Sequence, residues 1–543
     1  MIISFCTSCW FNLRKISYFC RKYSSIVPET LNLTLSPKQA ASEEGWLAIA
    51  VRRLGIRRDQ VALARVIKRS VDARQQTPKV LLTVEVFVDG EQQPEQIHFD
   101  YPDVNGKTEV VIVGGGPAGL FAALRLIELG YRPILLERGR EVGQRRRDIA
   151  QIHRGVAVDH ESNYAFGEGG AGTFSDGKLF TRSKKRGDYN RALQTLVFHG
   201  ANPEILYEAH PHIGTDCLPK IIEQVRQTII NAGGIIRFDS CVTDIELHQG
   251  RIKGVWVGDE LIEGAAVVLA TGHSADDIYE MLHRRGVRLE AKPWAMGVRV
   301  EHPQELIDRI QYHSADMREW LPAAAYSLVS QVGGRGVYSF CMCPGGVIVP
   351  AMTDFGECVV NGMSASARSS RWANAGIVTE VRPEDFAHLH DQWGELAGLK
   401  YRQQVERHAA ALVGGGGVAP AQRLADFVAG RPSIDLPRTS YLPKTTAAVA
   451  DEWLPDFIAQ SLRGGFKSFG HKMRGFVTNQ AQIIGVESRT STPVRIPRDK
   501  ESLQHPEVAG LYPTGEGAGY AGGIISAALD GTRVAEMVAQ TIK

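Results

Sequence analysis

Six consecutive residues, Gly114-Gly115-Gly116-Pro117-Ala118-Gly119, have the G-x-G-x-x-G spacing that brings main-chain N–H groups against a diphosphate. Each glycine has its own task. Gly114 permits the tight turn, Gly116 lets a pyrophosphate approach the backbone, and Gly119 lets helix and strand pack closely. The surroundings give the spacing its meaning. EVVIV (109–113) reads as a buried strand, 117–129 as an amphipathic helix and PILLE (133–137) as a second strand. Pro117 just inside the helix and Gly130 just past it suit its two ends. Glu137 closes the second strand, 18 residues after Gly119, where its carboxylate can accept hydrogen bonds from a ribose. With the positive end of the helix toward the phosphates, the unit reads as a dinucleotide-binding βαβ.

Three further segments favour FAD over NAD. FGEGGAGTFSDG (166–177) is a second glycine-rich loop, able to lay main chain over the diphosphate or the isoalloxazine through Gly169, Gly170, Gly172 and Thr173. Ala270-Thr271-Gly272 ends an apolar strand and resembles the ATG motif of flavoproteins with two dinucleotide-binding domains. Gly515-Glu516 resembles their second FAD motif, in which an acidic side chain holds the ribityl chain. The usual residue there is Asp, so Glu516 departs from the pattern. Gly523 and Ile524 open a C-terminal helix toward the flavin, and Arg138 and Val242 complete the expected cofactor set.

Candidates for chemistry beside the cofactor are fewer. His471, in FGHKMRGF, stands where an inserted domain could meet the flavin and move a proton. Arg489, in SRTSTP, could hold a substrate carboxylate through two parallel hydrogen bonds. Cys341-Met342-Cys343 reads as two small apolar residues at a strand end, with a thiol near the flavin as its functional alternative. The C-x-C spacing is not a zinc half-site, and Cys6-x-x-Cys9 has only Cys20 near it, so no metal is expected. The absence of a C-x₄-C pair after the first helix argues against a disulfide reductase of the glutathione reductase kind. No second nicotinamide-binding βαβ is found either. The glycines 414–417 follow a helical run and read as the loop that ends it. NAD(P)H could still reduce a flavin by transient binding at its face.

Longer runs carry a resemblance to a known family. GVRVEHPQ (297–304), VYSFCMCPGG (337–346), NGMSASAR (361–368), VESRTSTPVRI (486–496) and GLYPTGEGAGYAGGI (510–524) are similar to the uncharacterised FAD-dependent dehydrogenase family, within the glutathione-reductase-like flavoprotein superfamily. The resemblance covers about residues 30 to 543. It implies hydride exchange at flavin N5 with a small molecule, and it supplies no substrate.

The elements that must position these residues give an α/β fold. A chain of 543 residues is too long for one core. The resemblance implies a small α+β domain over 29–105, a Rossmann-like, doubly wound FAD-binding domain split into 107–290 and 476–543, and an inserted α+β cap or substrate domain over 291–475. Residues 1–28 lack acidic side chains and read as an organellar presequence or a spurious upstream start. Eight irregularly spaced cysteines suggest a reducing compartment, cytoplasmic or, with a genuine presequence, mitochondrial. No apolar run reaches the roughly 18–20 residues of a membrane helix. A net charge of +2 argues against a polyanion as main ligand. The basic residues between Arg52 and Lys79 nevertheless leave an RNA-associated flavoprotein as the rival reading, and a flavin-bound scaffold without turnover as a third.

Overall fold

The computed structural model describes residues 28–88, 98–181, 187–314 and 316–542. The reading of 1–28 therefore lies, but for Pro28, outside the described residues, as do Cys6, Cys9 and Cys20. The chain divides into two units, Met1–His98 with Tyr207–Ala209, and Phe99–Leu206 with His210–Lys543.

In the first unit, Lys79–Val88 lies between Glu29–Leu35 and Val61–Asp72 in an antiparallel sheet. Burial of alternate residues Val80, Leu82, Val84 and Val86 follows from the two-residue period of a strand. Helix Glu43–Leu54 contributes Trp46, Leu47 and Ala50 to the interior. It starts at Ser42, whose side chain accepts the Gly45 N–H, and stops at Gly55 in the left-handed region. The cations are more paired than the local sequence suggests: Arg65 with Glu85, Arg57 with Asp59 and Arg74 with Asp72.

The second unit contains a parallel sheet in the order Leu511–Pro513, Val267–Leu269, Glu109–Val113, Arg132–Leu136, Ile235–Arg237. Apart from Glu109, Arg132 and Arg237 at their ends, its strands are apolar, as expected where both faces are covered. Val110 and Ile112 join a core with helices Pro117–Glu128, Leu218–Asn231 and Ile524–Thr541. Val111 and Val113 face the other way, into a core with Ile245, Ile252 and Val255. That second face carries an antiparallel meander of Val242–His248, Arg251–Val257 and Glu260–Glu263, with helix Asp276–Arg284. The doubly wound expectation is corrected accordingly. Gln249 and Gly250, both at positive φ, turn the chain back on itself where a crossover helix would otherwise lie.

The same unit holds a seven-stranded sheet: Val329–Val332, Arg335–Cys343, Trp372–Val381, Trp294–Pro303, Gln482–Glu487, Ala419–Arg423, Thr445–Ala447. Helix Asp456–Lys472 packs against it and buries Phe466 and Phe469. Gln482–Glu487, just past the boundary expected at 475/476, pairs with Trp294–Pro303 and Ala419–Arg423 in this sheet. Among the described residues no helix is long and apolar enough to cross a membrane, and no cluster of His, Cys, Asp and Glu could hold a metal ion.

Candidate functional site

A cavity of about 340 Å³ opens in the second unit at the carboxyl ends of the parallel strands, where Val113, Leu136 and Ala270 line it. Ligands of open α/β sheets bind at this edge. The turn after Glu109–Val113 is set by two glycines with no room for a side chain. A Cβ on Gly114 would fall 2.4 Å from the Ala270 carbonyl oxygen, and one on Gly119 would fall 2.0 Å from that of Gly114. Gly116 caps the helix, Pro117 occupies its first position, and both line the cavity with Ala118.

Glu137 is buried at the same wall. Its carboxylate accepts main-chain N–H groups of Gly115 at 2.7 Å and of Gly139 and Gly167 at 2.9 Å. Two carboxylate oxygens offer about four acceptor sites, so one remains for a ligand hydroxyl. Arg138 lies over the Phe166 ring and donates to Glu161 and Asp277. Arg138, Phe166 and Val242 all line this end. The second glycine loop is held from behind by Arg145, fully buried, which donates to the carbonyls of Asn163, Tyr164, Gly167 and Glu168. Gly170 and Gly172 reach the cavity, whereas Gly169 and Thr173 fix the turn beneath them.

Thr271 and Gly272 line the wall after the third of these strands, and Glu516, Gly523 and Ile524 line it near the C-terminus. Gly515 stands back, its N–H donated to Asp530. Burial pushes the Glu516 carboxyl up to about 7, against the opposing charge of Lys292. A dinucleotide fits this lining on one direct observation. A Cβ on Gly272, Gly522 or Gly523 would meet no atom within 4 Å, and one on Gly116 only the Gly170 Cα at 3.8 Å. These glycines face space where a ligand can lie.

The opposite end of the wall is built from charged side chains. Lys178 Nζ lies 3.2 Å from Asp176, 3.7 Å from the Cys341 sulfur and 3.6 Å from that of Cys343. Asp176 is itself held by Arg368 at 2.8 Å and by Ser364. His273 also lines the cavity. Burial, then the charges of Arg489 and Arg402, push its imidazole down to about 4, so it stays neutral at pH 7. Asp176, Lys178, His273 and Arg145 were missed from sequence. The D-G-K following the glycine loop was the only local signal for the first two.

The two catalytic candidates need correction. His471 is exposed on the last turn of Asp456–Lys472 and is not among the cavity residues, because that helix turns Phe466 and Phe469 inward and leaves its end in solvent. Arg489 does line the cavity, but its donors are committed. Nε and Nη2 reach Glu406 at 3.2 and 3.0 Å, Nη2 reaches Glu357 at 2.7 Å, and Nη1 reaches Thr353 at 3.2 Å. Of the five guanidinium N–H donors only one is left, too few for a two-point grip on a carboxylate.

Comparison with known proteins follows this geometry. A family described as FAD-dependent protein, C-terminal domain-like, matches residues 293–490; an NAD(P)-binding Rossmann-like domain matches 112–173; and a domain of unknown function matches 27–87. An uncharacterized protein of Clostridium beijerinckii is 41% identical over 509 residues, 90% of this chain and 94% of its own. The probable electron transfer flavoprotein-quinone oxidoreductase YdiS of Escherichia coli is 25% identical over 240 residues, 43% of this chain and 52% of its own. Among solved structures, a geranylgeranyl bacteriochlorophyll reductase-like protein of Thermoplasma acidophilum matches 80% of this chain and 78% of its own at 13% identity and a TM-score of 0.33. CtdE in complex with FAD matches 80% and 88% at 12% identity and a TM-score of 0.31.

Proposed function

We propose that this chain, which belongs to one family with the uncharacterized clostridial protein and matches the FAD-dependent, C-terminal domain-like family over 293–490, is an FAD-dependent oxidoreductase that exchanges a hydride with a small-molecule substrate. The observation carrying this reading is the single wall that joins the diphosphate turn, the part-free Glu137 carboxylate and the open glycines. The main-chain N–H groups of Gly116 and Ala118, left over once Gly114 and Gly115 donate to Leu136 and Glu137, would bind the diphosphate, and Glu137 the adenosine ribose, with Arg138 and Val242 beside it. The first turn of Ile524–Thr541 would then face the ring end, its dipole favouring negative charge there. The dinucleotide domain would comprise 107–290 and the residues after Glu487, with the seven-stranded sheet as the inserted part. Bound in this cavity, FAD supplies a two-electron centre that gives or takes hydride. Glu516, which holds a proton close to neutral pH, and neutral His273 are placed to hold or move a substrate proton.

An anaerobic visible spectrum of the purified protein, followed through additions of NADPH and then NADH, tests the reading. A flavin band that one nucleotide bleaches is expected. A band that neither bleaches keeps the cofactor and makes the substrate itself the reductant. Colourless protein that takes up no added FAD overturns the reading.

A further inference from the structure

The strand Arg335–Cys343 contains one residue too many. Phe340 pairs with Gly376 but Cys343 pairs with Asn374, so a bulge falls at Cys341 and Met342. Cys341 sits at a φ of +45°, a region that non-glycine residues seldom occupy. In a flat strand the two cysteines would point the same way roughly 7 Å apart. Here the bulge brings both sulfurs to one side, 3.7 and 3.6 Å from Lys178 Nζ, and the Cys343 thiol donates to the Cys341 carbonyl at 3.6 Å. Backbone strain kept beside a ligand cavity is a feature of functional sites.

The two thiols are not equivalent. Cys341 lines the cavity, whereas Cys343 is fully buried behind it. Lys178 and Arg299 face the pair, the latter with Nη1 3.9 Å from the Cys343 sulfur while its other donors grip Glu487 at 2.7 and 2.8 Å. Asp176 braces Lys178, and Glu487 and Glu516 are the remaining carboxylates whose fields reach Cys341. The hydrogen bond from Cys343, followed by Lys178 and Arg299, holds Cys341 well below the usual thiol range in spite of burial, and the same bond and burial push Cys343 up. The sulfur facing the cavity is therefore the more acidic of the two.

We propose that Cys341 and Cys343 form a dithiol–disulfide couple in two-electron exchange with the FAD, Cys341 as the sulfur facing the cofactor and Cys343 as the resolving partner. In the oxidising direction the Cys341 thiolate and the Cys343 thiol become one S–S bond. Two electrons and the Cys343 proton pass to oxidised FAD, and water supplies the second proton that completes its reduction. The reverse step breaks the S–S bond and restores thiolate and thiol. This couple rests on FAD occupying the cavity as proposed above.

The test uses FAD-loaded protein, air-oxidised and then titrated anaerobically with dithionite. Wild type is expected to consume about four electrons per FAD, against about two for Cys341→Ser and for Cys343→Ser. Alkylation under denaturing conditions and mass analysis give a readout that needs no variant. The oxidised peptide spanning both cysteines should be unalkylated and about 2 Da lighter, and should take two labels after reduction. Flavin-containing wild type that consumes about two electrons, with both cysteines alkylated in the oxidised state, overturns the couple and leaves the cofactor reading intact. Protein that binds no FAD overturns the reading beneath it.

Discussion

The two ends of the cavity are made in opposite ways. At the end formed by the Gly114–Gly119 turn, proposed above for the diphosphate, the wall is main chain, held by glycines that tolerate no Cβ and by one carboxylate fixed to the backbone. At the other end Arg489 and Lys178 line the wall and are tied to charges, Arg489 to Glu406 and Glu357 behind it, and Lys178 to Asp176 and two sulfurs. The contrast separates two physical strategies. Backbone recognition is local in sequence and insensitive to pH, whereas a charge lattice is assembled from distant segments and titrates.

The largest expected effect lies in the lattice. Arg489→Met leaves Glu406 and Glu357 short of a partner in the interior and should cost about 3–5 kcal/mol in a denaturant melt. A loss below about 1 kcal/mol would mean that this end tolerates unpaired charge and that the contrast is overdrawn. At the backbone end, Gly116→Leu introduces a side chain where only the Gly170 Cα is near. The fold should survive, as read by far-ultraviolet circular dichroism, while FAD affinity falls about 100-fold, near 2.7 kcal/mol. Unchanged flavin content would break the assignment of that end.

A smaller effect sharpens the pH side of the comparison. Glu516 binds its proton more tightly folded than unfolded, since burial lifts its carboxyl from 4.5 to about 7. Its favourable contribution is therefore complete below pH 4.5 and lost as pH rises through about 7. The FAD-free protein should lose on the order of 1–2 kcal/mol across that window, and Glu516→Gln should flatten the loss in thermal melts from pH 5 to 8. An unchanged slope would place the titration elsewhere. The smallest effect belongs outside both ends: His471→Ala, in an exposed last turn, should leave stability within about 0.5 kcal/mol and the flavin spectrum unchanged.

Legibility in the sequence follows the same division. The turn Gly114–Gly119, helix Ile524–Thr541 and the strands ending at Glu137 and Ala270 could be read because each signal lies within a few consecutive residues. Lys178 could not be paired with Cys341 and Cys343, more than 160 residues away, because no periodicity links them. For the same reason Cys341-Met342-Cys343 looked like an ordinary strand end: a bulge is a property of the partner strand as much as of its own. The pairing of Gln482–Glu487 with Trp294–Pro303 and Ala419–Arg423 had no local signal, because a central antiparallel strand buried on both faces lacks the alternation that marks a half-exposed one. Arg489 could be noticed in the sequence, but a guanidinium gives no hint there of which carboxylates will saturate it.

The order of strands in the parallel sheet also sets a timetable. Its edge is Leu511–Pro513, and helix Ile524–Thr541 lies so close to Pro117–Glu128 that a Cβ on Gly531 would sit 2.0 Å from the Ala118 carbonyl oxygen. A ribosome making this chain therefore exposes the glycine turn hundreds of residues before the segment that braces it has left the exit tunnel. The nascent turn must wait, half-walled, until residues 511–541 have been made, and a chain broken off before Leu511 would be stranded in that state.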